Sequence, residues 1–191
     1  MKKKMIACDE ETRAQKENIT REMITDEHGK FDAWKIRELL EKGVRLQEMP
    51  LKVAIYSNLS ANFNSHEIEI MFKYCREYIE RANWTLVEGY RDCNISQNHD
   101  TLTNTIEEVI ADINKGKIDL IVTPEVKFIS DDIEVLHKIV EMIEDKNAGI
   151  YFVTDNISTL EIDMGQMLIM SKAVLEYEKY LSNRRKELYK I

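Results

Sequence analysis

The sequence predicts an α/β fold: a mostly parallel sheet covered by helices on both faces, followed by one long C-terminal helix. From residue 51 onward, short runs rich in β-branched and aromatic residues alternate with longer amphipathic stretches. Strands that alternate with helices of this length are typical of a parallel sheet with both faces covered. After residue 160 the chain contains no proline and a single glycine, Gly165, which allows one uninterrupted helix.

The strands and helices of the sheet domain follow one another in a regular order. The strands are predicted at LKVAIYS, TLVEGYRD, IDLIVTP and GIYFVTD. The intervening helices are predicted at HEIEIMFKYCREYIERAN, TLTNTIEEVIADINKG and DDIEVLHKIVEMIEDKNAG. Apolar spacing in the first helix predicts one inward face, made of Ile68, Met71, Phe72, Cys75, Tyr78 and Ile79. The functional edge of such a sheet lies at the carboxyl ends of its strands, where Ser60, Asp92 and the loop 124–130 are expected.

Residues 1–50 are predicted to be a polar N-terminal extension that packs on the α/β domain at 51–160. The stretch FDAWKIRELLEKG reads as its one helix, because Asp32 can cap the start and Gly43 can end it. The partly apolar stripe of this helix consists of Trp34, Ile36, Leu39 and Leu40. A small helix-turn-helix is the alternative, but such modules are usually basic, and this segment holds 11 basic and 11 acidic residues.

Residues 161–191 are predicted to be a dimerisation unit, in which the chain from Asp163 to Ile191 can form one helix of about 40 Å, at a rise of about 1.5 Å per residue. Its apolar stripe comprises Met164, Met167, Leu168, Ser171, Val174, Leu175 and Leu181, and other apolar residues extend further round. A helix that is apolar on more than one side needs more than one surface to cover it. We expect the α/β domain to cover one side and a second copy of the helix to cover the other. The alternative is a helix that lies wholly on its own domain.

The charge distribution restricts nucleic-acid contacts to the C-terminal end. The formal net charge is −8, and binding DNA by bulk electrostatics requires lysine and arginine to neutralise phosphates. After residue 178, only Glu187 opposes a group of basic side chains: Lys179, Arg184, Arg185, Lys186 and Lys190. We expect this group to contact the DNA backbone weakly, and backbone contacts alone cannot select a site.

Composition predicts a cytoplasmic protein with no cofactor and no metal. No apolar segment approaches the roughly 18 residues that cross a membrane, and the apolar run at 5–8 is shorter than the roughly 7–15 residues of a signal peptide. The cysteines are far apart and form no Cys-x-x-Cys pair, as expected of reduced thiols. Cys93 and His99 lack the spacing of zinc ligands.

Four short stretches, in order along residues 51–185, resemble the catalytic domain of the serine recombinases, the resolvase and invertase family. The first strand of that family ends in Tyr-x-Arg-x-Ser, where this chain reads Tyr56-Ser57-Asn58-Leu59-Ser60. The second strand ends in an aspartate before a serine-containing loop, as Asp92 does in RDCNIS. The third leads into Leu-Asp-Arg-Leu-x-Arg, which falls on EVKFIS at 125–130. The stretch 156–185 resembles the entry into the long dimerisation helix, including a Met-Gly-x-Met step, Glu178 and Arg185.

The resemblance implies a reaction in which a serine hydroxyl attacks a DNA phosphodiester and forms a 5′-phosphoserine linkage before the strands rejoin. Ser60 occupies the position of the nucleophile, and the positions of the other catalytic groups fall on Tyr56, Asp92, Lys127 and Arg185. Guanidinium groups suit this chemistry, because they meet the developing charge on the equatorial phosphate oxygens bidentately, whereas an ammonium acts as a point charge. Outside that chemistry, Ser60 is a turn hydroxyl and Tyr56 a strand aromatic.

Most of the family's arginines are absent. Asn58 replaces the arginine of the first strand, Lys127 and Ser130 replace those of the third motif, and Val126 replaces its acidic residue. If each lost donor costs on the order of 10²–10³ in rate, three losses predict a reduction of roughly 10⁶ or more, although such losses are not additive.

The sequence therefore predicts a catalytically impaired recombinase-like protein with a dimerising or regulatory role. Its partner is a second copy, through 161–191, or an active recombinase. The alternative is an active recombinase subunit that uses Ser60 with Lys127 and Arg185. A third reading is an unrelated flavodoxin-like or nucleotide-binding domain, but the loop at 57–65 has none of the glycines that let a backbone approach phosphate closely.

Overall fold

Five strands form one mixed sheet in the order β2-β1-β3-β4-β5. The first four strands run parallel, and β5 pairs antiparallel with β4. Their bounds are β1 Leu51–Asn58, β2 Trp84–Asp92, β3 Leu120–Thr123, β4 Gly149–Phe152 and β5 Ile157–Ser158. The structure, a computed structural model, describes residues 18–58, 65–92, 104–130 and 132–162, together with 165, 166, 169, 172, 173, 175, 176 and 180.

Four α-helices accompany the sheet in the described part of the chain up to residue 162. They are α1 Ala33–Glu41, α2 Ser65–Arg81, α3 Asn104–Asn114 and α4 Ile133–Glu144. Short 3-10 helices occur at Arg21–Ile24, Leu46–Glu48 and Val126–Phe128. The predicted fold class is confirmed, and each predicted strand and helix of the sheet domain is present. The antiparallel β5 was not predicted. No helix among the described residues is both long and apolar enough to cross a membrane.

Side-chain caps fix where two of the helices begin. The carboxylate of Asp32 accepts hydrogen bonds from the backbone N–H groups of Trp34 and Lys35, and Asp132 caps α4 in the same way. Gly43, just beyond α1, adopts a φ of 84°, which favours glycine. The apolar stripe of α1 is narrower than predicted, because Trp34 is 69% exposed whereas Ile36 is completely buried.

Each face of the sheet has its own apolar core. On one face, α2 packs through Ile68, Phe72, Cys75 and Ile79. The same core includes side chains from the N-terminal extension, namely Ile24, Phe31, Ala33, Ile36, Leu46 and Met49. On the other face, α3 and α4 pack against the strands, and Leu175 of the C-terminal segment joins them. Residues 18–50 therefore contribute to the core of the sheet instead of forming a core of their own.

A buried ion pair anchors the extension to the sheet. The guanidinium of Arg21 donates two hydrogen bonds to the carboxylate of Asp119, one of them at 2.7 Å from Nη2 to Oδ1. Asp119 is fully buried just before β3, and it also accepts a bond of 2.7 Å from the backbone N–H of Lys52. Nη1 of Arg21 donates to the carbonyl oxygen of Pro50 at 3.3 Å. Arg21 thus links this part of the extension to Pro50, just before β1, and to Asp119, just before β3.

A second, neutral network holds the end of the extension. The side-chain amide of Gln47 donates to the hydroxyl oxygens of Tyr78 at 2.9 Å and Tyr151 at 2.8 Å. Tyr151 donates in turn to Oδ1 of Asn156 at 2.6 Å. The indole N–H of Trp84 donates to the carbonyl oxygen of Leu46 at 3.1 Å. The network connects the extension with α2, β2, β4 and the turn after β4.

Candidate functional site

The candidate site lies where the strand order reverses. From β1 the chain crosses to β2 on one side, and β3 pairs with the opposite edge of β1. In open α/β sheets, ligands bind at the carboxyl ends of the strands beside such a switch point. The loop 59–64, which follows β1 and contains Ser60, falls outside the described residues. The role of Ser60 therefore stays a prediction.

Tyr56 is part of the core at the end of β1. It is 1% exposed and belongs to the apolar cluster beneath α3 and α4, together with Tyr90 and Ile129. Side chains alternate along a strand, so Tyr56 and Asn58 face the same side of the sheet. This position suits a strand aromatic that packs beneath the site.

Asn58 and Asp92 lie side by side at the ends of β1 and β2. They are register partners, and Asp92 is completely buried. The side-chain amide of Asn58 donates a long hydrogen bond of 3.5 Å to the carbonyl oxygen of Ile129, which ties β1 to the loop after β3. The end of β1 therefore presents a neutral amide that is directed at the chain's own backbone.

The loop after β3 buries most of its side chains. Val126, Phe128 and Ile129 are all core residues. Ser130 accepts a hydrogen bond of 3.0 Å from the backbone N–H of Asp132. That contact supports the start of α4, so the hydroxyl of Ser130 has a structural role.

Lys127 forms an ion pair at this edge. Its Nζ lies 2.7 Å from Oε2 of Glu125, and both side chains are about three-quarters buried. Asp155, in the turn after β4, lies within electrostatic range of both groups. Partial burial raises the pKa of the Asp155 carboxyl, the carboxylate of Glu125 raises it further, and the ammonium of Lys127 opposes the rise. The sequence-based prediction did not include Glu125 and Asp155 in the site, because neither belongs to a catalytic position of the motif.

Two buried hydroxyl groups also lie at the ends of the central strands. Oγ of Ser57 in β1 and Oγ1 of Thr123 in β3 have no hydrogen-bond partner among the described residues. Because side chains alternate along a strand, Ser57 faces the core beneath α2 and Thr123 faces the core beneath α3 and α4. An unsatisfied buried polar atom costs about 1–3 kcal/mol, so each of these two strand ends carries such a cost. Neither hydroxyl was predicted to lie at the site, since both residues stand in apolar runs.

The C-terminal segment is described at single positions only. Residues 165, 166, 169, 172, 173, 175, 176 and 180 are helical. Leu175 is buried against the core beneath α3 and α4, whereas Ile169 is 73% and Tyr180 54% exposed. The predicted basic group, namely Lys179, Arg184, Arg185, Lys186 and Lys190, lies outside the described residues. In the part of the chain that is described, no three histidine, cysteine or acidic side chains gather as a metal site would require.

The fold and the site edge define a catalytic domain of the serine recombinase type. The family model of the resolvase N-terminal domain matches residues 53–190, well over half of the chain, and the chain belongs to that family. This membership confirms the resemblance and excludes an unrelated flavodoxin-like or nucleotide-binding domain.

Two solved structures of recombinase proteins have a similar fold. The N-terminal catalytic domain of TP901-1 integrase is 21% identical, with a TM-score of 0.52, over 68% of this chain and 98% of that chain. A resolvase family site-specific recombinase from Streptococcus pneumoniae is 16% identical, with a TM-score of 0.53, over 72% of this chain and 93% of that chain. No curated protein sequence matches the chain.

Proposed function

We propose that this chain is a serine-recombinase-type domain with impaired strand exchange, which acts as a dimerising or regulatory protein in DNA recombination. The observation that carries the proposal concerns three positions at which the family motif has arginine. Asn58 directs its amide at a backbone carbonyl, Lys127 is paired with Glu125, and Ser130 supports the start of α4. Each of these side chains is engaged with the protein itself.

The physical reason is electrostatic. An attacking hydroxyl creates charge on the equatorial oxygens of the phosphate, and donors that are already oriented in the site stabilise that charge. Removing one such donor typically slows the reaction by about 10²–10³. A neutral amide and a serine cannot replace guanidinium groups, and an ammonium in contact with a carboxylate is a poor substitute.

Surface exposure on the C-terminal helix supports a dimerising role. At 3.6 residues per turn, Ile169, Ala173 and Tyr180 fall within about 40° of one another on the helix surface. All three are exposed, whereas Leu175 points to the opposite side and is buried on its own domain. Exposed apolar residues on one helix face suit a second helix, from another copy or from an active recombinase.

Replacing Ile169 with glutamate is expected to weaken self-association by at least about 30-fold, which corresponds to about 2 kcal/mol. A carboxylate in the helix contact would have to be buried without a partner. Light scattering over a concentration series measures the change. Lys172→Ala, on the same helix but beside this face, serves as the control and should associate as the parent does. A parent that stays monomeric at every concentration would refute the dimer.

The catalytic half of the proposal is tested on supercoiled plasmid that carries the native locus of the chain. The purified protein alone is expected to leave the plasmid topology unchanged. Efficient recombination that disappears in Ser60→Ala would contradict the proposal. It would favour the alternative, in which Ser60 works with Lys127 and Arg185.

A further inference from the structure

The structure fixes the ion pair between Lys127 and Glu125 through its surrounding backbone. Glu125 precedes the 3-10 helix Val126–Phe128, and the backbone N–H of Phe128 donates to the carbonyl oxygen of Glu125 at 3.1 Å. The neighbours Val126 and Phe128 are both buried in the core. The main chain on either side of Lys127 is therefore held in place, so that its ammonium lies beside Glu125 without reordering of the loop.

Asp155 is brought to the same place by the turn after β4. The backbone N–H of Val153 donates to the carbonyl oxygen of Thr123, and that of Thr154 donates to the carbonyl oxygen of Pro124, both at 3.0 Å. These two bonds hold the turn after β4 against the start of the loop that contains Glu125 and Lys127. Two carboxylates and one ammonium thus lie together beside the ends of β3 and β4, and these three groups have a summed formal charge of −1 when all are ionised.

We propose that Glu125 and Asp155 withhold Lys127 from the phosphate backbone of DNA, so that the carboxyl edge of the sheet repels DNA instead of holding it. The proposal deepens the proposed function, on which it rests, because it assumes that DNA is the polyanion that meets this edge. It assigns Glu125 and Asp155 as positioning residues that act through Lys127.

The strength of the contact supports this assignment. Exposed ion pairs contribute little, because water screens them and the long side chains lose entropy. Here both side chains are about three-quarters buried and the charged atoms lie 2.7 Å apart, so the screening is weaker. A phosphate that approached Lys127 would have to compete with Glu125 and would meet the repulsion of Asp155 as well.

A binding cycle with a short duplex of arbitrary sequence tests the proposal. In Glu125→Gln/Asp155→Asn the ammonium no longer faces these two carboxylates, and one added phosphate contact should steepen the fall of log K with log salt concentration by about 0.9. If the curves of variant and parent meet near 1 M salt, that slope corresponds to roughly 8-fold tighter binding at 0.1 M. Adding Lys127→Met to the double variant should abolish the gain.

The control variant changes the net charge by the same amount, but at positions far from the carboxyl edge of the sheet. Glu38→Gln/Glu80→Gln removes two exposed carboxylates from α1 and α2 and should leave the salt slope as in the parent. An equal gain in this control, a slope unchanged in Glu125→Gln/Asp155→Asn, or a gain that survives Lys127→Met would each overturn the proposal.

This binding assay is independent of cleavage. Phosphoserine formation by the parent would refute the proposed function. The role of Glu125 and Asp155 would still be decided by the dependence of DNA binding on salt concentration. Conversely, failure of the cycle would leave the case for impaired chemistry resting on Asn58 and Ser130.

Discussion

Replacing Arg21 with alanine is expected to lower the free energy of unfolding by about 3–5 kcal/mol. The carboxylate of Asp119 is fully buried, and Arg21 supplies two of its hydrogen bonds. Without the guanidinium, a buried charge keeps only the backbone N–H of Lys52 as its neighbour among the bonds described above. Urea denaturation followed by circular dichroism measures the loss.

A surface ion pair of the same type provides the control. Arg37 lies 4.0 Å from Glu144, and its side chain is 46% exposed. Arg37→Ala should therefore cost less than about 1 kcal/mol. Combining Arg21→Ala with Asp119→Asn should recover part of the loss, because the buried charge is then removed as well. If Arg21→Ala cost no more than Arg37→Ala, the pair could not be what anchors the extension.

Replacing Asn58 with arginine is expected to accelerate phosphoserine formation by about 10²–10³, because it returns one donor to the end of β1. The substitution displaces little, since Asn58 is half-buried and its amide makes only a long hydrogen bond of 3.5 Å. Adding Glu125→Gln releases Lys127 and should increase the rate further. The gains need not multiply, because groups that act on one transition state are not additive.

Two variants at the same position separate guanidinium chemistry from size and charge. Asn58→Gln is neutral and should react as slowly as the parent. Asn58→Lys restores the charge without the planar fork, so its rate should fall between those of Gln and Arg. Single-turnover measurement of protein linked to DNA gives each rate. Equal rates for Arg and Gln, in variants that unfold at the same urea concentration, would show that the missing guanidinium is not what limits the reaction.

Much of the fold could be predicted because strand and helix patterns are local. The runs LKVAIYS and IDLIVTP are apolar enough to be buried on both faces, and both became central strands. The antiparallel β5 escaped prediction, because a strand of two residues has no periodicity of its own. The extension was predicted to pack on the sheet domain, but the side chains that it buries there were not, since residues such as Ile24 and Met49 stand singly among polar neighbours and are buried only by tertiary contacts.

The arrangement of the strand ends could be predicted, but the contacts between their side chains could not. The ends of β1 and β2 meet because parallel strands share an edge, which brings Asn58 beside Asp92. The partners of the charged groups depend on the folded chain. Arg21 and Asp119 are 98 residues apart, and the turn that carries Asp155 reaches Lys127 only through the bonds that join it to the loop after β3.

The most direct measurement of catalytic competence is a search for a nucleotide linked covalently to Ser60. The full chain, acting alone, is mixed with supercoiled DNA from its native locus, denatured and digested, and its peptides are analysed by mass spectrometry. The proposed function assigns neutral side chains, Asn58 and Ser130, to positions that need cationic donors, and Lys127 is held by Glu125. On that proposal, no phosphoserine-linked nucleotide is expected above the level seen with Ser60→Ala. A Ser60 adduct that forms in the parent and is absent from Ser60→Ala would contradict the loss of catalysis.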